Sequence, residues 1–160
     1  MKRALSADLY NYTTVSPALK ERWGELLSAL ARWQWFVTMT FRDRVGLWAA
    51  QRRWSRFWTE EQRVLGRLDW VRCTEYQHWR GVPHFHALVT GIPADFNTER
   101  CRLLGKEIAN NIAGFTRILE YDPALGAAHY LTKYTVKDLG DIRFTRGLTK
   151  GKCRYIVENK

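Results

Sequence analysis

Two segments with alternating side chains, joined by a short link, constrain the fold of this chain more than any other feature. The first is DWVRCTEYQH (69–78), the second is PHFHALVT (83–90), and WRGV (79–82) lies between them. Alternation is typical of strands that bury one face and expose the other. A link of this length, with a glycine in it, favours a β-hairpin. The sequence therefore predicts an antiparallel sheet built around this pair.

The segments on either side of the hairpin predict further helices and strands. Asn97 is a suitable N-cap for a helix that begins near Glu99, and Pro123 suits an early helical position. Helical periodicity covers 18–33, 46–65, 97–112 and 123–137, and strand composition covers 35–41 (WFVTMTF) and 115–121 (FTRILEY). This order predicts an α+β fold, a ferredoxin-like or RRM-like antiparallel sheet with helices packed mainly on one face.

Length and composition predict one basic domain. The 160 residues suffice for a single core, so we expect one domain over 1–160 with a basic tail from about 141. Lys and Arg number 26 against 16 Asp and Glu, a net charge of +10 that favours a polyanionic partner. The three cysteines lack CxxC spacing, and we find neither a signal peptide nor a membrane span. We therefore expect a cytoplasmic protein with no membrane partner.

The two histidines of the second alternating segment form a candidate metal site. His84 and His86 are two apart, so a strand projects them from the same face. If Trp79 pairs with Val82 across the turn, Gln77 lies opposite His84 and Glu75 lies opposite His86. A carboxylate would then join two imidazoles. The alternative is a half-exposed cross-strand histidine pair with no ligand.

A second candidate motif is GAAHYLTKYTVKD (126–138), in the last predicted helix. Tyr130 and Tyr134 are four apart, as are Lys133 and Lys137, so each pair shares one side of the helix. The two tyrosine hydroxyls can then reach one place. The alternative is an amphipathic helix whose tyrosines are half-buried and whose lysines face solvent.

Taken in order, FVTMTF (36–41), HFH (84–86) and the doubled YxxK at Tyr130 and Tyr134 resemble the three motifs of HUH endonucleases. Within that superfamily the chain is most similar to rolling-circle replication initiators of phages and small plasmids that carry two motif-3 tyrosines. The resemblance implies a metal site of His84, His86 and Glu75, with Gln77 in reserve, that binds Mn²⁺ or Mg²⁺. It also implies a tyrosine nucleophile that cuts single-stranded DNA and keeps the 5′ end covalently bound, assisted by Lys133 and Lys137.

This hypothesis carries several expectations about partners. The substrate would be single-stranded DNA, in an origin stem-loop, and the resemblance to phage and plasmid initiators implies a prokaryotic host cell. The chain lacks a GxxxxGK[ST] loop, so we expect a host helicase and polymerase to act with it. Cations and aromatics in the tail would carry a DNA strand, with these candidates: Arg143, Arg146, Lys150, Lys152 and Arg154.

Other functions remain open at this point. An HUH transposase or relaxase shares the chemistry, and a non-catalytic single-stranded nucleic-acid-binding domain or a structural zinc site shares part of the pattern. Thr38 and Thr40 share a face of the first strand, and we assign them no role beyond the strand core.

Overall fold

The predicted strands form one antiparallel sheet in a computed structural model of the chain, which describes residues 17–77, 80–135 and 141–148. The helices are α1 (Pro17–Leu30), α2 (Leu47–Leu65), α3 (Glu99–Ile112) and α4 (Gly126–Thr135), with a 3₁₀ turn at Ala94–Phe96. The strands are β1 (Trp35–Phe41), β2 (Asp69–Tyr76), β3 (Pro83–Thr90), β4 (Gly114–Glu120) and β5 (Ile142–Phe144). Their spatial order is β4-β1-β3-β2-β5. This confirms the predicted α+β fold.

The first four strands and the helices α2 and α3 form a βαββαβ unit. Its strand order, β4-β1-β3-β2, is that of a split βαβ sandwich. The core on one face of the sheet joins these strands to α2 and α3. The flanking helices α1 and α4 cover part of the opposite face, so the helices are divided between the two faces. None of the described helices is long and apolar enough to cross a membrane.

Large aromatic residues fill the layer between the sheet and the helices α2 and α3. Trp54, Phe57 and Phe85 are each at most 1% exposed. The Trp54 ring meets Phe85 edge-on, with 5.6 Å between ring centroids, and meets Trp58 in the same way at 5.3 Å. Arg72 is also buried here, with its guanidinium carbon 4.0 Å from the centre of the Phe85 ring. We call this the aromatic face of the sheet.

The other face carries aliphatic residues at one end and polar residues at the other. Leu88 and Val71 pack against Leu131 of α4 and Leu27 of α1. His84 and His86 alternate with Phe85 along β3, so they share a face with Leu88. We call this the histidine face.

Two helix starts differ from the predictions. Thr98 caps α3, because its hydroxyl accepts the backbone N–H of Cys101 at 3.3 Å. The predicted cap, Asn97, instead accepts the indole N–H of Trp35 at 2.8 Å. The last helix begins at Gly126 and not at Pro123, because the carboxylate of Asp122 accepts the Ala124 N–H and turns the chain first.

The basic segment after α4 contributes a strand. β5 pairs antiparallel with β2 and adds a fifth strand at that edge of the sheet. β5 covers 142–144 of the predicted basic tail, and residues 149–160 of that tail lie outside the described residues.

Candidate catalytic site

The hairpin register brings Glu75 to the two histidines by a different pairing from the one predicted. Glu75 lies directly opposite His84, and Cys73 lies opposite His86. The predicted pairing of Trp79 with Val82 is wrong, because Val82 accepts the backbone N–H of Gln77 at 2.9 Å. The Gln77 carbonyl accepts the N–H of Gly81, whose φ of +62° lies in the left-handed region that glycine favours. The register therefore shifts by two residues, which leaves every side chain on its predicted face.

Glu75 contacts one of the histidines along the diagonal of the pairing. Its Oε2 lies 3.2 Å from Nε2 of His86. A diagonal neighbour is within reach of a long side chain on the same face of an antiparallel pair. Two of the three predicted metal ligands are therefore in contact.

Each histidine also meets a threonine of β1, which lies on the other side of β3. Thr38 pairs with His86, and its hydroxyl lies 3.2 Å from Nδ1 of that ring. Thr40 pairs with His84 in the same way, again at 3.2 Å from Nδ1. The sequence pattern indicated no role for these threonines beyond the strand core. Their positions nevertheless match the histidines, since two hydroxyls at alternate strand positions have the same spacing as the HxH motif.

The other ring nitrogen of His84, Nε2, is buried. Among the described residues it has no hydrogen-bond partner, although it is inaccessible to solvent. Burial and the neighbouring His86 hold the pKa of His84 below its ordinary value, against the opposing effect of Glu75. His84 is therefore a neutral imidazole at neutral pH. If Nδ1–H donates to Thr40, the lone pair on Nε2 is free to bind a cation.

This arrangement fits a divalent ion in part. A separation of 3.2 Å between Glu75 Oε2 and His86 Nε2 is close to the ~3 Å expected for adjacent ligands of an octahedral ion with bonds of ~2.1 Å. Within 17–77, 80–135 and 141–148, no three His, Cys, Asp or Glu side chains are grouped closely enough to hold a metal. Glu75, His86 and Nε2 of His84 thus supply one carboxylate and two imidazoles, which are ligand types suited to a divalent metal. These three described groups are not already grouped around one point.

Cys73 and Gln77 also lie near the histidines in the hairpin. Burial raises the pKa of the Cys73 thiol, opposite His86, to about 12, so it is protonated and a poor ligand. Gln77 lies beyond the end of β2, where its backbone closes the hairpin opposite Val82. It does not lie opposite His84 as predicted.

Helix α4 places Tyr130 on the histidine face in a buried position. Its ring is 4.9 Å from that of Phe36, and Phe36 stacks on His86 with 6.2 Å between centroids. The side chain of Tyr130 is 8% exposed, and its hydroxyl oxygen accepts the backbone N–H of Asp122 at 3.0 Å. Tyr130 therefore packs between helix and sheet.

The other predicted catalytic residues are described less fully. Tyr134 and Lys133 lie within α4, but their side chains belong to the part that the structure leaves undescribed. Lys137 lies outside the described residues. The predicted cluster of two tyrosines and two lysines stays a prediction.

The two described tail arginines lie away from the histidines. Arg143 pairs with Arg72, which places it on the aromatic face, and its Nε donates to Asp141 at 2.9 Å. Arg146 lines a cavity of about 480 Å³ beside Arg67 and Asp69, at the opposite end of β2 from Glu75. The tail residues Lys150, Lys152 and Arg154 lie outside the described residues.

Comparison with known proteins assigns the chain to a family. Residues 34–139, well over half of the chain, match the family model of the Replication-associated protein ORF2. No curated protein and no solved structure gives a significant match. The matched range holds β1 to β4, the HxH motif and both candidate tyrosines. The chain therefore belongs to the Replication-associated protein ORF2 family, a family of rolling-circle replication initiators.

Proposed function

We propose that this chain is an HUH-type endonuclease and strand transferase that nicks and rejoins single-stranded DNA to initiate rolling-circle replication. The observation that carries the proposal is the contact of Glu75 with His86, beside the unpartnered Nε2 of His84. Helix α4, which holds the YxxxY sequence, packs on the same face of the sheet. Membership in a replication-initiator family supports the same function.

The proposed metal ligands are His84, His86 and Glu75, with Gln77 in reserve. When bound, Mn²⁺ or Mg²⁺ neutralises charge on the non-bridging oxygens of the scissile phosphate. Imidazole favours Mn²⁺, whereas carboxylate suits either ion. The threonine hydroxyls beside both Nδ1 atoms fix the ring orientations, so that the lone pairs of both Nε2 atoms can bind the metal.

Tyr134 is the proposed first nucleophile. The hydroxyl of Tyr130 is held by the Asp122 N–H in a buried position, and helical periodicity places Tyr134 one turn further along the same side. The phenolate oxygen of Tyr134 attacks phosphorus, the bond to the 3′ oxygen breaks, and that oxygen takes a proton from solvent. In rejoining, the 3′-hydroxyl attacks the phosphotyrosine and the phenol leaves. Tyr130 can make a second cut once its hydroxyl leaves Asp122.

The lysines of the motif would favour the reactive form of the nucleophile. A phenol has an ordinary pKa of ~10, and a nearby ammonium group stabilises its phenolate. We assign this role to Lys133 and Lys137. The substrate we propose is an origin stem-loop, with duplex unwinding and synthesis supplied by a host helicase and polymerase.

A covalent adduct tests this proposal. Wild type, Tyr130→Phe and Tyr134→Phe are incubated with single-stranded oligonucleotides of origin-like and random sequence, with Mn²⁺, Mg²⁺ or EDTA. Adducts are resolved under denaturing conditions, and the modified residue is identified by mass spectrometry. We expect a metal-dependent adduct that Tyr134→Phe abolishes and Tyr130→Phe retains.

Tyr76→Phe is the matched control, because Tyr76 is an exposed tyrosine at the end of β2 with no proposed role. Loss of the adduct in Tyr130→Phe alone would make Tyr130 the nucleophile. DNA binding without any adduct, in every metal, would contradict the nuclease and favour a non-catalytic binding domain.

A further inference from the structure

The edge strand β4 extends the histidine face beyond the proposed site. The β1 pairings place Thr40 between His84 of β3 and Phe115 of β4, and place Thr38 between His86 and Arg117. Residues paired directly across a sheet project from the same face. Phe115 is therefore about two strand spacings, roughly 10 Å, from His84 on one continuous surface.

This strand exposes one aromatic, one cationic and one aliphatic side chain on that surface. Phe115 is 55% exposed and Leu119 is 41% exposed, and Arg117 lies between them, also exposed. The acidic residue of β4, Glu120, pairs with Trp35 and so lies on the aromatic face, where it contacts Arg102 of α3. The histidine face of β4 thus carries positive charge and no carboxylate.

We infer that Phe115, Arg117 and Leu119 form a track for the single-stranded DNA that flanks the scissile phosphate, with a base stacked on Phe115 and a backbone phosphate at Arg117. This inference rests on the proposed function, whose site the track adjoins. An exposed ring beside a cation matches the requirements of single strands, whose bases offer free π-faces. Duplex DNA, whose bases are already stacked, gains nothing from Phe115 but still interacts with Arg117.

A second copy of the chain fits this edge less well. Antiparallel pairing of two β4 strands about their centre would place Arg117 directly opposite Arg117, and like charges in that position are destabilising. An exposed cation on an edge strand is also a common device against strand association. The charge therefore favours a polyanion over self-association.

Fluorescence anisotropy of the full chain with a labelled oligothymidylate of about 15 nucleotides, in EDTA so that no cleavage occurs, tests the track. Phe115→Val removes the ring but keeps a residue suited to strands, and Phe115→Tyr keeps the ring. We expect Phe115→Val to weaken single-strand binding about tenfold, and Phe115→Tyr to bind like wild type. Binding to a duplex of the same length should be unchanged in both variants.

Arg117→Ala should weaken binding to both single strand and duplex, and should reduce the salt slope for the single strand by about 0.7. The matched controls are Trp48→Ala and Arg56→Ala, which remove an exposed ring and an exposed cation from α2, in the layer on the aromatic face. Photocrosslinking of a bromodeoxyuridine oligonucleotide should label the peptide that contains 114–120.

Several outcomes would overturn the track. One is equal weakening by Phe115→Val and Trp48→Ala, which indicates general adsorption; another is crosslinking confined to other peptides. A third is a dimer in solution that Phe115→Val dissociates, which assigns the strand to self-association.

If the adduct forms but Phe115→Val binds normally, the track fails and the nuclease stands. If Phe115→Val weakens binding but no adduct forms, the nuclease fails and the track stands as a DNA-binding surface.

Discussion

The two faces of the sheet use their buried polar groups for different purposes. On the aromatic face, the buried Arg72 guanidinium lies over the Phe85 ring, and its ion pair with Asp141 is 3.6 Å long. Burial lowers the pKa of Arg72 to about 10, so it stays charged at neutral pH. On the histidine face, the polar groups meet across three neighbouring strands in the series Glu75, His86, Thr38.

The buried polar atoms of the two faces also differ in their ability to bind a cation. Among the described residues, the buried groups without a hydrogen-bond partner on the aromatic face are mostly donors, such as the Arg72 guanidinium and the indole N–H groups of Trp54 and Trp58, and a donor cannot bind a cation. One exception is Oε1 of Glu61, but burial raises the pKa of that carboxyl to about 7 and so favours its protonated form. Nε2 of His84 is also buried without a partner among the described residues, and in a neutral ring it can be an acceptor, with Glu75 nearby. Burial without a hydrogen bond therefore indicates a site only where the chemistry of the atom fits a ligand. The aromatic face contributes stability, and the histidine face carries the proposed chemistry.

The largest expected effect is on the stability of the aromatic face. Trp54→Ala should lower the free energy of unfolding by about 3–5 kcal/mol, because it empties a site that is 1% exposed and meets three aromatic rings edge-on. Trp48→Ala on the same helix is the control, since Trp48 is 69% exposed, and it should change stability by less than about 0.5 kcal/mol. Urea unfolding measures both variants. A cost for Trp54→Ala close to that of Trp48→Ala would contradict the assignment of this face as the main source of stability.

On the histidine face the next effect should be functional. His84→Ala should reduce the rate of metal-dependent adduct formation about a hundredfold, comparable to the loss of one preorganised catalytic group. The free energy of unfolding should fall by only about 1 kcal/mol, because the ring is half-buried and the variant loses one hydrogen bond, the one between Nδ1 and Thr40. The rate is compared with that of wild type in Mn²⁺ and in EDTA, beside urea midpoints. Full activity in His84→Ala would remove this residue from the metal site.

Glu61 offers a pH-dependent test of the aromatic face. It lies between α2 and α3, where a Cβ on Gly105 would be 3.4 Å from both carboxylate oxygens, and burial raises its pKa to about 7. Below the ordinary pKa of about 4.5, both the folded and unfolded chains hold the proton and nothing is lost. As pH rises towards 7, the unfolded chain ionises first, so stability falls and then levels off.

Glu61→Gln should therefore raise stability by about 2 kcal/mol at pH 8 and by almost nothing at pH 4.5. Glu60→Gln is the matched control, because Glu60 is more exposed and pairs with the exposed Arg63. Urea unfolding of both variants at the two pH values measures the difference. A gain for Glu61→Gln that is equal at both pH values would contradict the raised pKa.

The local pattern predicted the strands well and predicted less of what depends on distant residues. β1 and β3 have their predicted bounds, because alternation and β-branched or aromatic residues coincide there. α1 ends at Leu30 and not at Trp33, whose indole N–H instead donates to the Leu27 carbonyl at 2.7 Å. Helix ends depend on such contacts, which periodicity does not encode.

The candidate site was predicted by residue type and not by its contacts. Alternation placed Glu75 and both histidines on one face, but the register depended on how Gly81 turns the chain. The threonine contacts depended on β1 lying beside β3. The connection through α2 makes them neighbours, because it places β2 one strand away from β1 and leaves room for β3 between them. The burial of Tyr130 likewise depends on Phe36, far away in sequence. Long-range pairing decides these features, and a single sequence constrains it weakly.

The smallest expected effect separates the threonine contacts from general packing on the histidine face. Thr40→Val keeps the shape of the side chain and removes the hydroxyl that lies 3.2 Å from His84 Nδ1. It should weaken Mn²⁺ binding about tenfold, the lower end of the effect seen when a partner of a metal-bound histidine is lost.

Thr90→Val is the control for this prediction, because the Thr90 hydroxyl donates to the Arg32 carbonyl at 2.7 Å and not to a histidine. Both variants lose one hydrogen bond, so their urea midpoints should shift alike. The Mn²⁺ concentration for half-maximal adduct formation should rise only in Thr40→Val, since only that residue orients a proposed ligand; equal rises in both variants would reduce Thr40 to a packing residue.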